Sequence, residues 1–228
     1  MIKKFRSPHD LDVDLALKVA GHLETDISLN GRATAVVSGG RTPIGFFRQL
    51  AEQDIAWDRV SITLADERWV ATSHSDSNER LVRENLLTHR AADASFISLK
   101  NKSMSAQEGQ KELAIRLKQV GKFSVVVLGM GNDGHTASLF PGMTNLATGL
   151  DMDSGLDCLA TSPDAAPHER ITLTLPRLLR STIMFLHLTG TSKLQMLEEV
   201  LEGGDIYEFP IKSVLQQKVT DLEIFYCD

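Results

Sequence analysis

At 228 residues, with 42% hydrophobic and 24% charged side chains, the chain has the make-up of a soluble globular protein with one sizeable core. A net charge of −6 disfavours a nucleic-acid or membrane-surface partner, so any anionic ligand must be met by a few locally placed cations. Two cysteines, Cys158 and Cys227, without C-x-x-C spacing or a nearby histidine pair, argue against a zinc site and a disulfide framework and fit a cytoplasmic location.

The opening MIKKFRSPHD has two early lysines but no apolar stretch behind them, unlike a signal peptide. No apolar run approaches the roughly 18 residues of a transmembrane helix. The stretch 11–27 places Leu11, Leu15, Val19 and Leu23 at four-residue intervals and predicts a helix with one apolar stripe. ATAVV (33–37) reads as a buried strand, and Pro43 can start a helix through IGFFRQLAEQ. Between them SGGRTP (38–43) offers two glycines and a helix N-terminus, a good cradle for an anion through Gly39 and Gly40. It is not a Walker sequence, since G-K-[ST] is missing. The bland alternative is a plain strand-to-helix turn, which would need only one glycine.

VSITLA (60–65) is a second buried strand, and DERWV (66–70) follows it. Charges at the end of a buried strand are costly unless paired or hydrogen-bonded. They read either as a salt-bridged strand end capped by Trp69 or as an anion contact through Arg68, whose guanidinium matches phosphate in a bidentate way. Further along come a capped helix at 77–87, a strand FISL, a helix at 105–120 and the strand FSVVVLG (123–129).

That last strand runs into LGMGNDGHTASLFPG (128–142), where Gly129, Gly131 and Gly134 match G-x-G-x-x-G letter for letter. A dinucleotide turn needs a long helix after its last glycine and an acidic residue ending the next strand. Here Pro141-Gly142 stops the following segment after about a turn and a half, and the next strand candidate, DCLAT (157–161), ends in Ala-Thr. The glycines instead present Asp133 and His135. A histidine held between glycines in a strand-end loop is not a packing residue; it is a natural general base, with Asp133 close enough to orient it. Backbone N–H groups of the same turn are candidates for stabilising an oxyanion.

The loop after DCLAT leads into RITLTL (170–175), which begins with Arg170, a charge that would be expensive unpaired in an apolar run. After TIMFLHL (182–188) comes TGTSK, where Lys193 falls in the first turn of a helix, a place the helix dipole disfavours for a cation unless an anion is near. A helix over 192–201 and a strand LEIFYC (222–227) close the chain. His9, His22, His74, His89 and His187 are read as surface or core residues without a role. Alternating helices and buried strands predict an α/β fold: an open, mostly parallel twisted sheet with helices on both faces, Rossmann-like and three-layered. Ligands then sit at the carboxyl ends of the strands.

Taken together, SGGRTP, LADERWV, LGMGNDGHTASLFPG, HERITLTLP and TGTSK resemble the 6-phosphogluconolactonase family, within the wider group of glucosamine-6-phosphate deaminase-like folds. The blocks occur in the family's order and spacing over nearly the whole chain. The histidine block is the specific one, whereas SGGRTP and TGTSK are shared with the deaminases. The resemblance implies one catalytic domain over residues 1–228 that hydrolyses 6-phosphoglucono-δ-lactone to 6-phosphogluconate in the oxidative pentose phosphate pathway, without metal or cofactor. It implies His135 as the base with Asp133 beside it, and phosphate binding by Gly39, Gly40, Arg68, Arg170 and Lys193.

The chemistry fits, because a lactone is an activated ester and needs no covalent nucleophile; neither a G-x-S-x-G elbow nor a Cys-His pair is visible. Asp66, Glu67, Asp133 and His135 could tempt one to build a metal site, but the lactone needs no Lewis acid and both acids of DERWV are expected to have Arg68 as their nearer neighbour. Two alternatives remain. A glucosamine-6-phosphate deaminase would carry a glutamate beside the proline of the histidine loop, where this chain has HTASLFPG with no acid. A non-catalytic sugar-phosphate sensor would carry a DNA-binding helix-turn-helix, for which a chain that starts its fold within about ten residues has no room. The expected partner is a small-molecule substrate, with no nucleic acid or membrane, and the protein is a monomer or homodimer.

Overall fold

The computed structural model describes residues 2–163 and 166–228, so part of the loop before Arg170 lies outside it. In chain order the elements are β1 (Ile2–Lys4), α1 (Pro8–Asn30), β2 (Ala33–Val37), α2 (Ile44–Ala51), β3 (Val60–Leu64), β4 (Asp66–Arg68), α3 (Asn78–Asn85), β5 (Ser95–Ile97) and α4 (Ala106–Lys118). There follow β6 (Phe123–Leu128), α5 (Leu146–Leu150), β7 (Cys158–Thr161), β8 (Arg170–Leu173), α6 (Leu175–Leu179), β9 (Ser181–Thr189), α7 (Thr191–Glu202), α8 (Ile211–Gln216) and β10 (Asp221–Cys227).

Local chemistry accounts for the first helix. Ser7 accepts the N–H of Asp10 at 3.1 Å, Pro8 occupies the first turn, and Gly31 at φ 75° ends the helix in the left-handed region. Its stripe of Leu11, Leu15, Val19 and Leu23 is fully buried and lies against β2, β6 and β10. The helix runs three residues beyond the predicted 11–27 at each end, because the caps lie outside the apolar pattern.

The main sheet has seven strands, all parallel, in the order β1-β10-β9-β6-β2-β3-β5. The order reverses between β2 and β6, which pair through Val36↔Val126 and Val37↔Val127. Such a reversal opens a crevice beyond the carboxyl ends of the two strands. Here it sets SGGRTP, which follows β2, beside the glycine-rich loop that follows β6. Ser38 Oγ donates to the Val127 carbonyl at 3.2 Å, stitching the two exits together.

Three predicted segments differ in placement. DCLAT and RITLTL do not join the parallel sheet; they form an antiparallel pair, β7 and β8, and DERWV supplies the third strand, β4, in the order β4-β8-β7. A parallel return needs a crossover of a dozen or more residues, and the eight residues 162–169 are too few, so the chain turns back on itself. Ala65 joins the two sheets: its N–H donates to Val37 at 2.9 Å, and its carbonyl accepts from Leu173 at 2.8 Å. No helix follows the last glycine of the G-x-G-x-x-G match; Thr136 and Leu139 form an isolated bridge instead.

Glu67 is the anchor of this junction. It is 1% exposed, and its carboxylate accepts the N–H groups of Arg68 (2.7 Å), Asn78 (2.8 Å) and Glu79 (2.7 Å) together with Ser77 Oγ (3.0 Å). Burial pushes its carboxyl up from the usual carboxylate range, and these four donors oppose that. It therefore caps α3, and neither Glu67 nor Asp66 pairs with the Arg68 guanidinium as expected from the sequence. Glu67→Ala would strand several buried donors, so unfolding by denaturant should show a loss of roughly 2–4 kcal/mol. A loss under about 0.5 kcal/mol would remove the anchor role.

Candidate functional site

The crevice holds a cavity of about 260 Å³. That is small beside the roughly 300–1,000 Å³ of drug-sized pockets and suits a small metabolite. Gly39, Gly40, Arg68, His135, Arg170 and Lys193 all line it, although they come from five separate segments of the chain. Asp133 stands just behind His135.

The histidine loop is shaped by its glycines. Gly134 has φ 75°, which favours glycine, and a β-carbon at Gly131 would collide with both the His135 imidazole and the Asp133 carboxylate. The N–H of Gly131 donates to the His135 carbonyl at 2.8 Å, and that of Gly134 to Gly131 at 3.3 Å. These two amides are therefore engaged inside the turn, which leaves its other N–H groups as the candidates for an oxyanion. Asp133 Oδ1 lies 2.5 Å from His135 Nδ1 and accepts the His135 N–H at 3.1 Å. Burial pushes the Asp133 carboxyl up, but the hydrogen bonds and charge of His135 outweigh it and hold the group down at about 2. An ionised carboxylate on Nδ1 fixes the proton there and leaves the Nε2 lone pair as the base. The ring stacks on Phe140, with centroids 4.0 Å apart.

At the SGGRTP segment both glycines have a reason. Gly40 adopts φ 96°, and Gly39 passes so close to Asn78 that a β-carbon would collide with its amide. Asn78 itself is fixed by donating to the Asp66 carbonyl at 2.9 Å. Arg68 and Arg170 stand directly opposite each other across the β4–β8 ladder. Like charges in that position repel unless something lies between them. Arg68 Nη1 donates to the Asp76 carbonyl at 2.7 Å, while Arg170 has Asp66 at 3.8 Å, Ser138 Oγ at 3.5 Å and the Phe140 ring at 5.3 Å. The Nε–H of each arginine is buried without a partner among the described residues. Burial lowers the Arg170 ionisation; Asp66 opposes this and Arg68 adds to it.

Lys193 lies in the first turn of α7, behind Gly190 at φ 93°. Burial lowers its ionisation and the charge of Asp133 raises it, and its ammonium has no hydrogen-bond or ion-pair partner among the described residues. One end of the cavity thus carries an imidazole oriented by a carboxylate, and its walls carry three under-partnered cations. No group of three or more His, Cys, Asp or Glu side chains among the described residues is arranged to hold a metal ion. No helix among them is long and apolar enough to cross a membrane. Cys158 and Cys227 are free and buried.

Sequence reasoning missed Asn78, Phe140 and Ser138. Ser138 donates to Asp66 at 2.5 Å and stands within 3.5 Å of Arg170, so it links the two charged groups. Asn78 and Ser138 carried no signal beyond lying near the motifs.

The sequence profile of the family described as glucosamine-6-phosphate isomerases/6-phosphogluconolactonase matches residues 6–223. A 6-phosphogluconolactonase of Pseudomonas putida is 39% identical over 95% of this chain and 88% of the relative, and one of Pseudomonas aeruginosa is 40% identical over 90% and 87%. A crystal structure of a 6-phosphogluconolactonase from Shewanella baltica superposes with a TM-score of 0.97 at 44% identity, covering all of this chain and 97% of that one. With the crevice, its glycine loops and its cations spanned throughout by these matches, the chain belongs to the glucosamine-6-phosphate isomerase/6-phosphogluconolactonase family.

Proposed function

We propose that the protein is a lactone hydrolase that converts 6-phosphoglucono-δ-lactone to 6-phosphogluconate, in a single catalytic domain acting in the cytoplasm as a monomer or homodimer. The observation that carries this reading is the meeting, in one small cavity, of the Asp133–His135 pair with Arg68, Arg170 and Lys193. Neutral His135 takes a proton through Nε2 from water as the water oxygen attacks C1. The tetrahedral intermediate expels the ring oxygen, and the imidazolium returns the proton to it. Asp133 stabilises the imidazolium without itself taking the proton. The phosphate, remote from the reacting carbon, is held by the Gly39 and Gly40 region, Arg68, Arg170 and Lys193, and its binding energy fixes the orientation of the lactone.

The deaminase reading is disfavoured by the cavity's carboxylates. Among the described residues lining it Asp66 is the one acid, and that group is already engaged by Ser138 and Arg170. The test is the rate of lactone opening, on freshly generated substrate, above the spontaneous rate, with glucosamine 6-phosphate as the competing substrate. Acceleration of the lactone alone is expected, and turnover of the aminosugar alone would overturn the assignment. Full activity should survive exhaustive chelation. Loss on chelation with rescue by a divalent ion would bring a metal into the mechanism.

A further inference from the structure

Two ionisable side chains that the reaction does not use, a buried His187 and a half-buried Asp12, face each other beside the SGGRTP segment. His187 interrupts the apolar run of β9, is 4% exposed, and neither ring nitrogen has a hydrogen-bond partner among the described residues. A buried imidazole left so is costly, and a leucine would suit the strand better, so the position calls for an explanation. Its Nε2 lies 3.6 Å from Asp12 Oδ1, a carboxylate near the start of α1.

Asp12 in turn leans on the first turn of α2, the helix that begins where the cradle ends. A β-carbon at Gly45 would collide with Asp12 Oδ2, and the Phe46 N–H stabilises the carboxylate. No side chain caps α2 from its own N-terminal flank. Two residues further along the same face of β9, Thr189 donates to Thr42 Oγ1 at 3.5 Å. Strand β9 therefore braces the cradle at two points, directly through Thr42 and through Asp12 at the helix start, and His187 also forms part of the cavity wall.

We propose that Asp12 and His187 are positioning residues of the anion cradle: together they hold a negative charge against the first turn of α2, and the cradle accepts a dianion more readily once the pair takes up a proton. This rests on reading residues 38–43 as the phosphate site. The physical basis is competition for one helix N-terminus. A carboxylate there satisfies the positive end of the dipole in the empty protein and repels a second anion seated beside it. Burial raises the Asp12 carboxyl to about 6, against the charge of His9 and the Phe46 N–H, while burial lowers His187 to about 4. Near neutral pH the imidazole is uncharged, and the pair loses its negative charge as pH falls through about 6. The other ionisable groups that act on Asp12 or feel its charge are His9, on its own helix, and Cys227 of β10, a thiol raised by burial.

Sulfate is the probe, because it stays a dianion from pH 5 to 7.5 and any pH dependence then belongs to the protein. Calorimetry should show wild-type affinity for sulfate falling as pH rises over that range, with the pair accounting for about three- to tenfold of the fall. Asp12→Asn keeps the acceptor for Phe46 and removes the charge. It should flatten the profile by that factor and bind sulfate more tightly than wild type at pH 7.5. Lys193→Ala separates the two ideas. If it binds sulfate as wild type does, the phosphate-site reading itself fails; if it loses sulfate while the Asp12→Asn profile parallels wild type, only the role of the pair fails. Should Asp12→Asn not fold, the wild-type protein still decides the matter. Linkage requires saturating sulfate to raise the Asp12 carboxyl midpoint, read by carbon NMR, by the same factor. A midpoint that does not move overturns the proposal.

Discussion

His135→Asn is expected to lower kcat by roughly 10²–10⁴, the usual worth of general acid–base catalysis, with KM and folding stability close to wild type. The size of the effect follows from the geometry. Asp133 grips Nδ1 at 2.5 Å, so the imidazole can work only through Nε2, and asparagine offers no basic nitrogen there. Folding should tolerate the change because the ring is only partly buried and asparagine fits the same turn. The pH profile gives a second readout. Asp133 is held down at about 2 and so stays ionised beside the ring, and whatever part of the profile the base carries should vanish in the variant. Steady-state rates corrected for spontaneous hydrolysis, across pH, check both points. A variant that binds equally well and keeps more than about a tenth of the rate would make the histidine structural and leave Asp133 as the candidate base.

The parts of the molecule legible in the sequence are those where one local cause decides the outcome. The apolar runs ATAVV, FSVVVLG and TIMFLHL become central parallel strands because strands covered on both faces tolerate little else. The histidine loop was legible because Gly131 and Gly134 each meet a requirement only glycine satisfies, and HTASLFPG could not build the helix a dinucleotide needs. The second sheet was not legible: β7 and β8 have the same apolar character as the parallel strands, and only the short connection between them marks the reversal. Strand β1 and the helices α5, α6 and α8 are too short to show a period. Long-range electrostatics was harder still. The sequence pairs Glu67 with the next residue's guanidinium, but besides that residue's N–H its partners are Ser77 Oγ and N–H groups eleven and twelve residues away, which become neighbours only when α3 folds back. The sequence alone reads His187 as a surface or core residue without a role, although a polar side chain within TIMFLHL is itself a signal that something polar lies opposite; that something is Asp12, at the other end of the chain.

Arg170→Met is expected to raise KM for the phosphorylated lactone roughly ten- to a hundredfold, the loss of one charge-assisted contact of about 1.5–3 kcal/mol, with kcat little changed. Arg170 is 6% exposed, so it contributes to binding only if the ligand reaches it in the cavity. The arrangement around it favours such a ligand. Arg68 lies directly across the ladder, each guanidinium keeps a buried Nε–H without a partner among the described residues, and Asp66, which also accepts from Ser138, lies 3.8 Å from Arg170. Two cations in that geometry are better stabilised by a dianion than by each other. Methionine fills the space without the charge. Asp66 retains Ser138 as a donor and Arg68 is relieved of repulsion, so folding stability should change less than substrate affinity. The decisive control is the same lactone without its phosphate. If Arg170 grips the phosphate, wild type and Arg170→Met should handle unphosphorylated gluconolactone alike, both poorly. Inorganic phosphate should also protect wild type against thermal unfolding more than it protects the variant. A KM penalty of equal size on the unphosphorylated lactone would place Arg170 at the sugar ring and move the phosphate elsewhere in the cavity.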